Sequence, residues 1–201
     1  MSGRNGIEVT AAGSRGLVVE RVTRETDIRV EIARGTGRAT ADTTQPFLDH
    51  MVVTLARYSS LDLDVVARGD LKHHLIEDVA IVIGTAVAGL ATPTVARYGD
   101  RTIPMDDALV HAVLDVGGRP FYQGPLPSKL YDHWMRSFAG HARATLHLRV
   151  LRGQDRHHIV EAAFKALGLA IRDALVESGE VFSTKGRVES TARARASGPS
   201  A

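Results

Sequence analysis

Apolar and polar positions alternate along two short stretches near the start of the chain, residues 18–22 and 27–32, with Arg24-Glu25-Thr26 between them. Alternation with period two predicts strands. The period then changes: Phe47, Met51, Leu55 and Tyr58 share one helical face, so 47–58 is a predicted helix. Residues 61–67 return to a strand pattern, and 75–90 read as an apolar helix rich in Ala and β-branched residues. The order then recurs. Strands are predicted at 108–116 and 120–123, a helix at 131–140, a strand at 145–151 and a helix at 159–175. That last helix has its stripe at Ile159, Ala163, Leu167, Ile171 and Leu175.

The two halves overlay in sequence. Asp49-His50-Met51 matches Asp132-His133-Trp134, residues 61–70 match 146–155, and 73–90 match 157–175, with shifts of one or two residues in offset. Three matched blocks in order indicate an internal duplication. Strands followed by helix, strand and helix in each half predict an α+β fold with two sheets and about four helices. The expected organisation is a flexible Gly/Ser-rich N-terminus over 1–15, half-domains over 16–100 and 101–186, and a disordered tail over 187–201.

Composition narrows the class. The chain has 201 residues, 44% of them hydrophobic and 24% charged, as in globular proteins. A net charge of +2 offers no broad basic field for nucleic acid. There is no cysteine, hence no disulfide framework and no thiolate metal site, which fits a reducing cytoplasm. The start lacks a signal-peptide core, and the apolar run 79–91 is glycine-interrupted and too short for a bilayer, so a soluble cytoplasmic protein with no membrane partner is expected.

Histidine carries the chemistry. Six of the nine fall into one repeated pattern: His73-His74-Leu75-Ile76-Glu77 and His157-His158-Ile159-Val160-Glu161, each preceded by His50 or His133. On a helix, residues three and four apart share a face, whereas neighbours point about 100° apart. Either His of a pair can therefore join its Glu on an ion, but the two cannot easily share one. Six imidazoles and two carboxylates divide evenly into three His and one Glu per ion. Such ligands suit Mn, Fe, Zn, Co or Ni, and open six-coordinate sites favour Mn. The competing reading is surface or capping histidines at helix starts. Two copies, each with an upstream partner, weigh against it. His111, His141 and His147 read as structural.

Arg97, Arg119, Lys165 and Lys185 stand out among the basic residues. Arg119 follows a Gly-Gly turn, Lys165 lies one turn past Glu161, and Ser183-Thr184-Lys185-Gly186 offers a phosphate clasp. Asp62-Leu63-Asp64 imitates a phosphatase nucleophile, but its duplicate is His147-Leu148-Arg149, so it reads as a half-exposed strand. Gly35-Thr36-Gly37 is too short for a dinucleotide loop.

From about Val18 to Gly186 the chain resembles the imidazoleglycerol-phosphate dehydratase family. The resemblance rests on Arg24-Glu25-Thr26, Phe47-Leu48-Asp49-His50-Met51, the two His-His words, Pro104-Met105-Asp106, Gly118-Arg119-Pro120, residues 146–153, Phe164-Lys165-Ala166 and Ser183-Thr184-Lys185-Gly186. It implies helices sandwiched between two mostly antiparallel four-stranded sheets. It also implies a homo-oligomeric shell, a 24-mer of trimers with active sites between subunits. Two Mn2+ per active site would be held by His50, His73, His74, Glu77, His133, His157, His158 and Glu161. The substrate phosphate would be held by Arg97, Arg119, Lys165, Ser183 and Lys185. Glu25, Glu77, Asp106 and Glu161 would be the catalytic carboxylates, with Glu25 the acid/base residue and a metal-bound water its competitor. The implied activity converts imidazoleglycerol phosphate to imidazole-acetol phosphate and water in histidine biosynthesis.

The chain departs from the family pattern in four places. Only Leu71 and Lys72 separate Asp70 from His73, where a longer acidic segment is usual. Leu75 replaces a common Thr, Asp155-Arg156 precedes the second His pair, and His141 replaces a usual Asn. The ligands survive while their surroundings change. Two rival readings are a non-catalytic metal-assembled shell, which has no use for Arg97, Arg119 or Lys185, and a dinuclear hydrolase, which lacks bridging Asp-rich motifs here. The length leaves no room for a fused phosphatase domain.

Overall fold

The computed structural model describes residues 6–12 and 16–181. Thirteen elements follow one another: β1 (Gly6–Ala12), β2 (Gly16–Val22), β3 (Thr26–Arg34), β4 (Ala39–Asp42), α1 (Pro46–Ser59), β5 (Leu61–Gly69), α2 (Lys72–Leu90), β6 (Tyr98–Met105), β7 (Ala108–Asp115), β8 (Phe121–Gln123), α3 (Lys129–His141), β9 (Thr145–Arg152) and α4 (Arg156–Ala174).

The strands form two sheets, ordered β1-β2-β3-β5-β4 and β6-β7-β9-β8. The first sheet, without β1, repeats the order of the second. In both, the last pair (β4 with β5, β8 with β9) is parallel and the rest antiparallel. The helices lie between the sheets: α2 packs on β2, β3 and β5, and α4 on β6 and β7. The duplicated α+β architecture is therefore as expected, with one correction: the first sheet has five strands. Part of the segment expected to be flexible, residues 6–12, pairs with β2 from Gly6↔Val22 to Ala12↔Gly16. Ile7 and Val9 alternate with Glu8 and Thr10, so this segment can complete an edge despite its Gly/Ser flanks. The half-domain boundary expected between residues 100 and 101 falls inside β6, which belongs wholly to the second sheet. The tail expected from residue 187 onward lies outside the described residues.

Local chemistry sets the helix starts. Pro46 opens α1, and Asp49 in its first turn accepts from the Thr43 amide and hydroxyl at 2.8 and 2.6 Å. Asp155 caps α4, accepting from the amides of His157 and His158 at 2.7 and 3.4 Å. At the opposite ends, Arg34 donates to the carbonyls of Leu90 and Leu175, tying together the last turns of α2 and α4. Between the sheets, Trp134, Phe138 and Phe164 are fully buried, with Trp134 4.6 Å from Phe164 and 5.4 Å from Phe138 between ring centres.

Two glycines at matching positions of the duplication let the helices approach. A Cβ on Gly84 would lie 2.6 Å from the Phe138 carbonyl oxygen, so α2 and α3 touch backbone to side. A Cβ on Gly168 would lie 3.0 Å from the Leu55 carbonyl oxygen and 2.8 Å from Tyr58 Cβ, so α4 meets α1 the same way. The helices thus pair across the halves, α2 with α3 and α1 with α4.

Helix α2 spans 19 residues and is long and apolar enough, by length and composition, to cross a membrane. The run over 79–91, expected to be too short for a bilayer, lies largely within this longer helix. The helix is the core element of the first half, two-thirds buried between its sheet and α3.

Candidate metal centres

The crossed helix pairing decides which ligands meet. His133 on α3 reaches Glu77 on α2, Nε2 to Oε1 at 3.0 Å, and His73 Nε2 lies 3.7 Å from Glu77 Oε2. His50 on α1 reaches Glu161 on α4, Nε2 to Oε2 at 3.3 Å, and His157 Nε2 lies 3.1 Å from the same oxygen. Each group combines a helix start from one half with an upstream histidine from the other. In both groups the ligand atoms lie within 4.8 Å of one another.

These groups fit a metal. Each offers two imidazole nitrogens and one carboxylate, a set that holds a divalent transition ion and leaves positions open. His133 Nε2 is buried and, among the described residues, makes no well-aligned hydrogen bond, which a metal bond would remedy.

His74 and His158 stand outside both groups, as adjacent helical residues must. The rings of His73 and His74 are 6.4 Å apart and nearly perpendicular, as are those of His157 and His158 at 5.9 Å. An even division into three His and one Glu per ion is thus not met within one chain. Instead, His74 Nδ1 lies 3.0 Å from Asp70 Oδ1 and 3.5 Å from Glu25. His158 Nδ1 lies 2.7 Å from Asp107, and its Nε2 3.3 Å from Asp106. The Asp70 hydrogen bond raises the His74 pKa against the opposing effect of burial, and Asp107 does the same for His158. A carboxylate on one ring nitrogen fixes the ring and its tautomer, and is the usual support of a metal-binding imidazole.

Glu25 and Asp106 occupy corresponding turns, β2–β3 and β6–β7. The Glu25 turn is held from beneath. Thr23 Oγ1 accepts from the Glu25 and Thr26 amides at 3.1 and 2.9 Å, and the Thr26 hydroxyl donates to buried Asp78. Asp78 in turn pairs with Arg21 at 3.2 Å. The Asp106 turn is held through Asp107, which accepts from the amides of Gln154 and Asp155 at 2.6 and 3.2 Å. The Gln154 amide, then His158 and the Asp155 amide, draw the Asp107 pKa down to about 2. Asp70, Asp78 and Asp107 are the supporting residues that sequence reasoning missed. Asp70 and Asp78 flank the first His word and Asp107 adjoins Asp106, and those positions were the signal.

Lys165 lies at this end too, Nζ 2.9 Å from Glu161 Oε1 and 3.1 Å from Met105 Sδ. Burial pushes the Glu161 pKa up, but the bonds from Lys165 and His50 outweigh it and hold the group below its ordinary value. Arg97 and Arg119 are elsewhere. Arg97 donates from Nε and Nη2 to Asp115 at 2.6 and 3.1 Å, and its amide bonds to the Ala174 carbonyl at the C-terminal end of α4. The Arg119 carbonyl accepts from Thr145 at the start of β9. Counting the helical rise from His157 to Ala174 puts that end roughly 25 Å from the ligands. Ser183 and Lys185 lie outside the described residues. The remaining histidines are local partners, as expected: His111 to Asp100 at 2.5 Å, His141 to the Ser137 carbonyl at 2.9 Å, and His147 against the Phe121 ring.

The sequence profile of the imidazoleglycerol-phosphate dehydratase family matches residues 43–171. A curated relative with that name from Kineococcus radiotolerans is 43% identical over 196 residues, covering 86% of this chain and 98% of its own length. Another from Methanoculleus marisnigri is 43% identical over 187 residues, covering 84% and 96%. Among solved structures, the Pyrococcus furiosus enzyme in complex with (S)-C348 superposes with a TM-score of 0.76 at 39% identity, covering 84% of this chain and 99% of that one. The Staphylococcus aureus enzyme superposes at 0.73 with 30% identity, covering 81% and 99%. Profile, relatives and fold agree, and the chain belongs to the imidazoleglycerol-phosphate dehydratase family of enzymes.

Proposed function

We propose that this chain converts imidazoleglycerol phosphate to imidazole-acetol phosphate and water, in the cytoplasm, as a step of histidine biosynthesis. It does so at centres of two manganese ions completed where subunits of a homo-oligomer meet. The observation that carries this reading is the division of the site residues between two ends of the chain. The metal groups, Glu25 and Asp106 lie at one end, and Arg97 and Arg119 at the other. The substrate has an imidazole at one end and a phosphate at the other, joined by three carbons. That link is far shorter than α4. Docking the arginine end of one subunit against the metal end of another brings both recognition sets within reach. A contact between the metal ends of two subunits would in addition offer ions to His74 and His158, which their own chain leaves outside. A closed 24-mer of trimers is one assembly that repeats such a contact.

Bound divalent ions would polarise the substrate imidazole and make it an electron sink. His73, Glu77 and His133 would hold one, and His50, His157 and Glu161 the other. The hydroxyl leaves the ring-adjacent carbon with its bonding electrons and takes up a proton. The next carbon loses its proton, and the resulting enol becomes a ketone, so one water is lost. Glu25, on a turn anchored by Thr23, Thr26 and Asp78, is the acid/base residue, and Asp106 flanks the site from the matching turn. Arg97 and Arg119 clamp the phosphate, away from the reacting carbons, and so orient them. Ser183 and Lys185 join this set through the family resemblance; Lys165, which the resemblance also gives to the phosphate, lies at the metal end of its own chain beside Glu161. The test is turnover: full-length protein loaded with Mn2+ and given imidazoleglycerol phosphate should form imidazole-acetol phosphate. No product at saturating metal would overturn the reading.

A further inference from the structure

The two metal groups match in ligand type but not in charge. Glu77 turns both oxygens into its group, Oε2 toward His73 and Oε1 toward His133. Glu161 turns only Oε2 toward His157 and His50, because its Oε1 accepts from Lys165. Lys165 stands one helical turn beyond Glu161, and the duplicate position beyond Glu77 is Ile81, a buried aliphatic residue. The neighbouring carboxylates are paired alike in both halves: Glu25 and Asp70 on His74, Asp106 and Asp107 on His158. Buried Asp78 has Ala162 as its duplicate, but it is paired with Arg21, so Lys165 is the unmatched charge that bears directly on a ligand carboxylate. The carboxylate of one group keeps its full negative charge, while that of the other is offset by an ammonium whose side chain is only 14% exposed.

We propose that the two centres bind divalent cations with unequal affinity, and that Lys165 makes the His50–His157–Glu161 centre the weaker. This rests on reading the two groups as metal centres. One oxygen of Glu161 is committed to Lys165, so the ion meets a single oxygen there. The ammonium repels the ion directly, with little water between them to screen it. A carboxylate shared with an ammonium also gives less electron density to a metal, so the ion there is the stronger Lewis acid. The hydrogen bond from Lys165 also orients Glu161, which works the other way. Glu161 is already 7% exposed, on the α4 face that packs against α1, so packing supplies that orientation and charge decides the sign.

The test is titration of metal-free full-length protein with Mn2+, reading free ion by electron paramagnetic resonance. Wild type should show two classes of site separated by about tenfold or more. Lys165→Met and Lys165→Gln should each tighten the weak class toward the strong one, while Lys165→Arg preserves the gap. Glu161→Gln should remove the weak class and Glu77→Gln the tight one. A single class in wild type, an unchanged or widened gap in both neutral variants, or loss of the weak class on Glu77→Gln would overturn the proposal. Absence of any Mn2+ binding would instead remove the metal centres themselves, a separate result.

Discussion

Glu25 and Asp62 show how differently two carboxylates are placed. Glu25 is half exposed, and its carboxylate reaches toward His74 at 3.5 Å from a turn that buried Asp78 holds through Thr26. A side chain that carries a proton should be dispensable for metal binding but not for turnover. Glu25→Gln is therefore expected to keep its metal content while kcat falls by about 10²–10⁴-fold. Full turnover in that variant would pass the role to a metal-bound water. Asp62 has the opposite task. Its carboxylate accepts from the amides of Thr36 and Arg38 at 2.9 and 3.0 Å and from the Arg38 guanidinium, closing the loop between β3 and β4. Those amides hold its pKa at about 2, below the ordinary 3.8. A depressed carboxylate contributes stability that is full above pH 4 and is lost as pH falls through about 2. Asp62→Asn should flatten the acid limb of a melting-temperature profile between those limits and leave turnover at neutral pH unchanged. An unchanged acid limb would show that the loop does not depend on this charge.

At the scale of elements, Gly84 and Gly168 tie packing to chemistry. Alanine would gain roughly 1 kcal/mol in helix propensity at either site. Overpacking costs about 1–3 kcal/mol, and here the new Cβ meets backbone of a neighbouring helix, which cannot retreat as a side chain tip can. The second effect should win. Gly84→Ala is expected to lower the melting temperature by several degrees and to loosen metal at the Glu77–His133 group alone. Gly168→Ala should do so at the His50–Glu161 group alone. Selective metal loss is the measurement; equal loss from both groups would break the link to helix spacing. The helices and the strands β2, β3, β5, β7 and β9 were legible in the sequence because their periodicity and their burial agree. Strands β1, β4 and β6 were not. β4 is Ala-Thr-Ala-Asp, a strand by parallel pairing to β5 rather than by apolar content. β6 carries Gly99 and Pro104, and its glycine is required because a Cβ there would lie 2.0 Å from the Ala170 carbonyl oxygen. The six residues of the two candidate metal groups were legible as residue types at repeated spacing. Their grouping was not, because it follows from α1 lying on α4 and α3 on α2, a crossing that no local pattern records.

At the scale of the whole molecule, the duplication places like residues at like ends, and on the proposed function this leaves one chain an incomplete site. His74 and His158 are braced by Asp70 and Asp107 but stand outside the metal groups of their own chain. Arg97 is braced by Asp115 at the far end of α4. If catalysis needs the metal end of one subunit and the arginine end of another, two defects in different chains should cancel when the chains assemble together. Glu161→Gln removes a ligand and Arg97→Ala removes the phosphate clamp, and each should be nearly inactive as a homo-oligomer. After equimolar mixing, dissociation and reassembly with Mn2+, up to about a quarter of the wild-type rate should return, since random pairing gives that share of contacts two sound halves. The native molecular mass of the mixture, measured beside its activity, establishes that reassembly took place. A reassembled but inactive mixture would mean that each chain uses its own residues at both ends, and the subunit-sharing reading would fall, leaving the metal groups to be explained within a single chain.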